Sequence, residues 1–109
     1  MIERVLEKEI RDKLEALGIR TGGVSRRDGF VMFIAEKGDK RVFVWLRKTP
    51  ITEKAISRAT KTISKYTIDA VVTISFYEDA DYTKIPSELN LTKVRSIDEA
   101  VTTIKKLVE

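Results

Sequence analysis

Residues 30–46, FVMFIAEKGDKRVFVWL, decide how this chain folds. Two nearly continuous apolar runs, Phe30 to Ala35 and Val42 to Leu46, are rich in β-branched and aromatic residues. Between them lies Glu36-Lys37-Gly38-Asp39-Lys40, with Asp39 as the natural turn residue. Two such runs joined by a Gly-containing turn read as an antiparallel hairpin. Each run is apolar on both faces, so the sheet is expected to be covered on both sides.

Working outward, Thr49 and Pro50 suit the cap and first turn of a helix. Ala55, Ile56, Ala59, Ile63 and Tyr66 form its buried stripe. Asp69 to Phe76 (DAVVTISF) then reads as a buried strand of strong β-formers. A strand, a helix and a strand at this spacing imply a parallel pair joined by a right-handed crossover. Tyr77 to Asn90 is polar and acidic and reads as a loop; Leu91 to Arg95 reads as a short edge strand. Ser96-Ile97-Asp98-Glu99 is a capping box opening a last helix, with Ile97, Ala100, Val101, Ile104, Leu107 and Val108 on one face.

Upstream, Ile2, Val5, Leu6, Ile10, Leu14 and Leu17 recur at helical spacing, and Glu3, Glu7, Lys8, Arg11, Asp12 and Glu15 fall off that stripe. Gly18 stands where a left-handed C-cap is expected. Ile19 to Ser25 is a short strand interrupted by Gly22-Gly23. The expectation is a single α/β domain over residues 1–109, a mixed central sheet flanked by helices, in the order α-β-β-β-α-β-(β)-α.

Composition removes several function classes. The chain has 109 residues, 42% of them hydrophobic, which suits one core and excludes disorder. It contains no Cys and no His, which excludes disulfides, thiolate metal sites, Ser-His-Asp chemistry and any imidazole base. No P-loop, GxGxxG or GxSxG pattern occurs. No apolar run approaches the ~20 residues that span a bilayer, and no signal-peptide pattern opens the chain, so a cytoplasmic, non-membrane protein is expected. The absence of Gln and the single Asn, Asn90, are those of a heat-adapted protein.

Charge is uneven. Lys and Arg number 21 against 17 Asp and Glu, a net +4. Lys54, Arg58, Lys61 and Lys65 follow at steps of 4, 3 and 4, which places four cations on one face of the second helix, opposite its apolar stripe. Arg26 and Arg27 before the hairpin, Lys40 and Arg41 in it, and Arg47 and Lys48 after it add to the basic surface. A basic helix face with basic loops is the usual footprint of a surface that meets nucleic-acid phosphate; it is also the pattern of a merely solvated face. The acidic segment 78–88 is either a self-shielding loop or a contact for a basic partner.

From Asp28 onward the chain resembles the restriction-endonuclease-like superfamily, most closely its Mrr-type branch. The resemblance is carried by Asp28-Gly29-Phe30-Val31, by Glu36 to Arg47, by Pro50, Ala55, Ala59 and Tyr66, and by Asp69-Ala70-Val71-Val72-Thr73. It covers roughly residues 1–80, the leading helix included. It implies a nuclease fold in which an Asp on one strand and an acid-x-Lys on the next hold Mg²⁺, which activates water. Laid onto this chain, the Asp position falls on Val31 and the acid-x-Lys positions on Trp45 and Arg47. Val31, Phe33 and Ala35 together with Phe43, Trp45 and Arg47 are then expected to line the vacated site. Val31 and Trp45 offer Mg²⁺ no oxygen, and Arg47 stays protonated.

The resemblance therefore implies a catalytically inactive nuclease-like module without cofactor. Nucleic acid, DNA by analogy with the fold, is its expected partner, held by Arg26, Arg27, Arg47, Lys48, Lys54, Arg58, Lys61 and Lys65. A homodimer would double that surface. Trp45 reads as core, as a platform for an unpaired base, or as an interface anchor. A second reading is a structural or regulatory subunit that docks through an apolar Val31/Phe33/Phe43/Trp45 surface and the acidic loop. A third is a Mg²⁺-dependent nuclease whose acids have moved to Glu9, Asp28 or Glu36.

Overall fold

The computed structural model describes residues 2–27, 30–47, 53–75 and 91–109. Its elements are α1 (Ile2–Ala16), β1 (Arg20–Arg27), β2 (Phe30–Lys37), β3 (Lys40–Arg47), α2 (Glu53–Lys65), β4 (Ala70–Ser75), β5 (Thr92–Val94) and α3 (Ile97–Val108). The five strands form one sheet in the order β1-β2-β3-β4-β5. β1, β2 and β3 are antiparallel neighbours; β4 lies parallel to β3, and β5 parallel to β4. This is the expected α/β domain with a mixed sheet. Thr49 and Pro50, expected to start the second helix, and the acidic segment 78–88 lie outside the described residues.

The hairpin of β2 and β3 is tighter than its apolar runs imply. Pairing continues to Lys37 opposite Lys40, so the turn is only Gly38-Asp39. Gly38 sits at φ 62°, the left-handed backbone that a two-residue hairpin turn requires. β1 is longer than expected. It runs through Gly22-Gly23 to Arg27, absorbing one extra residue as a bulge between Gly22 and Ser25.

Alternation along the strands sorts the core into two layers. Val31, Phe33, Ala35, Val42, Val44, Leu46, Ala70, Val72 and Ile74 face α1 and α3, meeting Ile10, Leu14, Ala100 and Ile104. Met32, Ile34, Phe43, Trp45 and Val71 face α2, meeting Ala59 and Ile63. Both sheet faces are thus covered, as two-sided apolar strands demand.

α1 ends in a Schellman motif. The Ile19 N–H donates to the Leu14 carbonyl and the Gly18 N–H to the Glu15 carbonyl, each at 3.0 Å, with Gly18 at φ 80°. Leu14 and Ile19, both buried, supply the apolar contact that accompanies the motif. At α3, Ser96 Oγ accepts from the Glu99 N–H at 3.1 Å, as the capping box predicts. The return bond shifts by one residue: Glu99 Oε2 accepts from the Arg95 N–H, at 3.2 Å.

Four assignments from periodicity need correcting. Val5 and Leu17, placed on the buried stripe of α1, are 66% and 41% exposed. Tyr66, placed on the stripe of the second helix, follows its last residue and is 37% exposed. Glu7, placed off the apolar stripe, is buried. A wheel registers spacing alone. Among the described side chains of α1, Glu7, Ile10 and Leu14 are the buried ones, and Glu7 goes inside because Arg11 Nη1 reaches its Oε2 at 2.9 Å.

Lys13 ties α1 to the start of α3. Its Nζ lies 3.2 Å from Asp98 Oδ1 and 3.7 Å from Glu9 Oε1. The Asp98 hydrogen bond and charge hold the Lys13 ammonium above its ordinary value of 10.5. A lysine whose value is raised by folding contributes fully below its ordinary value, and the contribution is lost as pH rises through the raised one. Denaturation midpoints followed upward from neutral pH are expected to fall through the lysine range, and Asp98→Asn is expected to remove the part due to this pair. Gly18→Ala forces a Cβ into the left-handed region and is expected to cost about 1 kcal/mol, read by urea unfolding.

Candidate nucleic-acid interface

α2 carries the candidate site because its two faces have opposite tasks. Ala59 and Ile63 are buried against the sheet, so residues on the other side of the helix turn to solvent. Lys54, Arg58, Lys61 and Lys65 are all exposed there. Among the described residues, no ion pair ties any of the four to a carboxylate. From Lys54 to Lys65 the rise is about 16 Å, near half of the ~34 Å turn of B-form DNA.

The pairing register places further cations at one end of the sheet. Phe30 is the partner of both Arg27 and Arg47, and Val31 is the partner of Arg26. Arg26 and Arg27 are consecutive and Arg47 lies some 20 residues on, yet their backbones stand at neighbouring strand ends. The start of α2 follows the end of β3 in the chain, so Lys54 belongs to this same end. Lys48 and Asp28 lie outside the described residues.

The expectation that Val31 and Trp45 line one site needs correction. Val31 was expected to share a surface with Trp45, but its cross-strand partner is Leu46, and it faces α1 and α3. Trp45 pairs with Met32, and both face α2. A one-residue offset in an antiparallel pair moves a side chain to the opposite face of the sheet. Val31 and Phe33 therefore do not join Phe43 and Trp45 in one docking surface. All four are buried, two on each face.

Trp45 is core. It is fully buried, with its ring centroid 6.4 Å from that of Phe43 at a 40° tilt. It presents no face to a base or to a second chain. Met32 and Trp45 supply a thioether and an indole, which do not fit Mg²⁺, an ion that demands hard oxygen ligands. Among the described residues, no three His, Cys, Asp or Glu are grouped to hold a metal. Of the relocated candidates, Glu9 is on α1 beside Lys13. Glu36 is clamped between Arg20 Nη2 at 2.9 Å and Arg41 Nε at 3.0 Å.

Two polar clusters escaped the sequence reading. In one, Arg11 bridges buried Glu7 and Thr21, with its Nε 2.9 Å from Thr21 Oγ1, and Thr21 Oγ1 donates to Glu15 Oε1. In the other, Arg20, Glu36 and Arg41 form a row across β1, β2 and β3, each a cross-strand partner of the next. Asp69 anchors the row. Its Oδ2 accepts from the Arg41 N–H at 2.8 Å, and its own N–H donates to the Arg41 carbonyl at 2.9 Å. The available signal was the polar residue ending each apolar run. Only the register shows that these ends are adjacent.

Trp45 is the only Trp and reports this packing directly. Its native emission is expected to be blue-shifted and poorly quenched by acrylamide, and added single-stranded DNA is expected to leave it unquenched. Strong quenching by either would place the ring at the surface. No protein-family model matches this chain, and no curated protein matches it.

Proposed function

We propose that this chain is a nuclease-like module without a metal site that binds nucleic acid, DNA in the first instance, through the exposed face of α2. The observation that carries the binding is the row of four exposed cations with no described carboxylate beside them. Like charges at helical spacing repel by a few tenths of a kcal/mol per pair, so the row contributes nothing to the stability of the isolated helix. Phosphates supply the countercharge, and release of their condensed cations drives the association. Arg26, Arg27 and Arg47 belong to strand ends at the end of the sheet where α2 begins. Contacts of this kind set affinity and position while reading little sequence.

The nuclease-like part of the reading, and with it the choice of DNA, rests on the resemblance of Asp28 to Arg47 and Asp69 to Thr73. The proposed lack of catalysis rests on the same resemblance, since Val31, Trp45 and Arg47 at the corresponding positions offer Mg²⁺ no oxygen. The alternative of an apolar docking surface loses its residues to the core.

Fluorescence anisotropy of labelled duplex DNA, titrated at several salt concentrations without Mg²⁺, tests the proposal. Four phosphate contacts predict a slope of log K against log salt of about −3.6. Lys54→Glu with Arg58→Glu is expected to reduce that slope by about 2 and to weaken binding severely. Unchanged affinity in the folded double variant would overturn the assignment to α2.

A further inference from the structure

α2 runs back from the end of β3 to the start of β4, so its last cation, Lys65, lies at the opposite end of the sheet from Lys54. At that end a cleft of about 450 Å³ opens on the α2 side of the sheet. Arg20, Gly22, Ile34, Glu36, Arg41 and Tyr66 line it. The volume is within the ~300–1,000 Å³ of small-molecule sites.

We infer that this cleft receives one unpaired nucleotide, its phosphate on Arg20 and Arg41 and its base against Tyr66. Deepening the nucleic-acid reading, it rests on that reading for the strand that delivers the nucleotide. Three observations converge.

The first is charge. Glu36 lies between two guanidiniums and neutralises one of them, so the charged residues that line the cleft, Arg20, Glu36 and Arg41, sum to +1; Asp69, on the Arg41 backbone, is not among its lining. Each guanidinium has five N–H donors and commits one to Glu36, so both forks retain donors for a phosphate. The second is the floor. Gly22 has no side chain, and a Cβ built on it meets nothing within 4 Å, so the space above the strand is open. The third is the wall. Tyr66 is a large aromatic left 37% exposed, with Lys65 Nζ 5.6 Å from its ring centroid. An aromatic ring beside cations is the combination that holds an unstacked base and its backbone together. A paired base cannot enter, because its edges and faces are already occupied in the duplex, so the cleft selects single-stranded ends over blunt ones.

Gly22→Phe tests the inference directly. Gly22 is not among the glycines at positive φ, so the strand accepts a side chain and the ring fills the cleft. Tyr66→Leu removes the stacking surface by a second route. Anisotropy compares a blunt duplex with the same duplex carrying a single-stranded overhang. Adenosine monophosphate is tested separately by thermal shift, to distinguish a strand end from a free nucleotide.

The wild-type protein is expected to bind the overhang duplex about tenfold more tightly, the order that one base stack contributes. Both variants, once shown to melt like the wild type, are expected to lose that preference and keep blunt-duplex affinity. Equal wild-type affinity for the two duplexes, or a preference that survives both variants, would overturn the cleft and leave the α2 reading standing. If no DNA binds while adenosine monophosphate still stabilises the wild type and not Gly22→Phe, the cleft stands for a free nucleotide and the α2 reading falls. If neither binds, both fall.

Discussion

Strand β3 has no polar side. Val42, Val44 and Leu46 point to one face, Phe43 and Trp45 to the other, and all five are at most 1% exposed. The strand is also paired along both edges, antiparallel to β2 and parallel to β4. A strand of this kind is stable only at the centre of a three-layer arrangement, because water cannot be excluded from both faces otherwise. α1 and α3 together cover one face, and α2 covers the other. The parallel pairing of β3 and β4 needs a crossover element, and α2 is the one available between them. One constraint thus determines the layer order, the topology and the position of the candidate site.

The same constraint turns the cations of α2 outward. Ala59 and Ile63 must meet Met32, Phe43 and Trp45, so Lys54, Arg58, Lys61 and Lys65 have only the solvent side. Burial of apolar area at roughly 25 cal/mol per Å² easily offsets the mild repulsion within the row. The helix therefore folds in spite of its charge pattern. Elsewhere the charged residues are organised differently. Arg20, Glu36 and Arg41 alternate in sign across three strands, and Glu7 is buried only with Arg11 beside it. Alternation stabilises a sheet end, whereas a single-sign row does not.

Register is the finest determinant in the molecule. With a period of two, Met32 and Val31 differ by one position and face different helices. Val31 stands opposite Leu46 and faces α1 and α3, whereas Met32 and Trp45 stand opposite each other. Both are sealed under α2, so the chemistry there is packing.

Helices and strands were legible in the chain because local rules govern them. Gly18 ends α1, Ser96 caps α3 and Gly38 turns the hairpin, each through backbone preferences acting over four or five residues. The four cations of α2 were legible for the same reason, since helical spacing alone places them on one face. The apolar stripe opposite them was legible only in part, because Tyr66 falls beyond the helix end and into the cleft. What no local rule contains is which residues meet across strands. Arg20 lies 16 positions from Glu36, and Trp45 lies 13 from Met32. Their adjacency follows from hydrogen-bond register, which the whole sheet settles when its two apolar faces are buried together. Burial of Glu7, exposure of Val5 and the cleft under Tyr66 belong to the tertiary structure for the same physical reason: each depends on which neighbour excludes water, and that neighbour comes from another part of the chain.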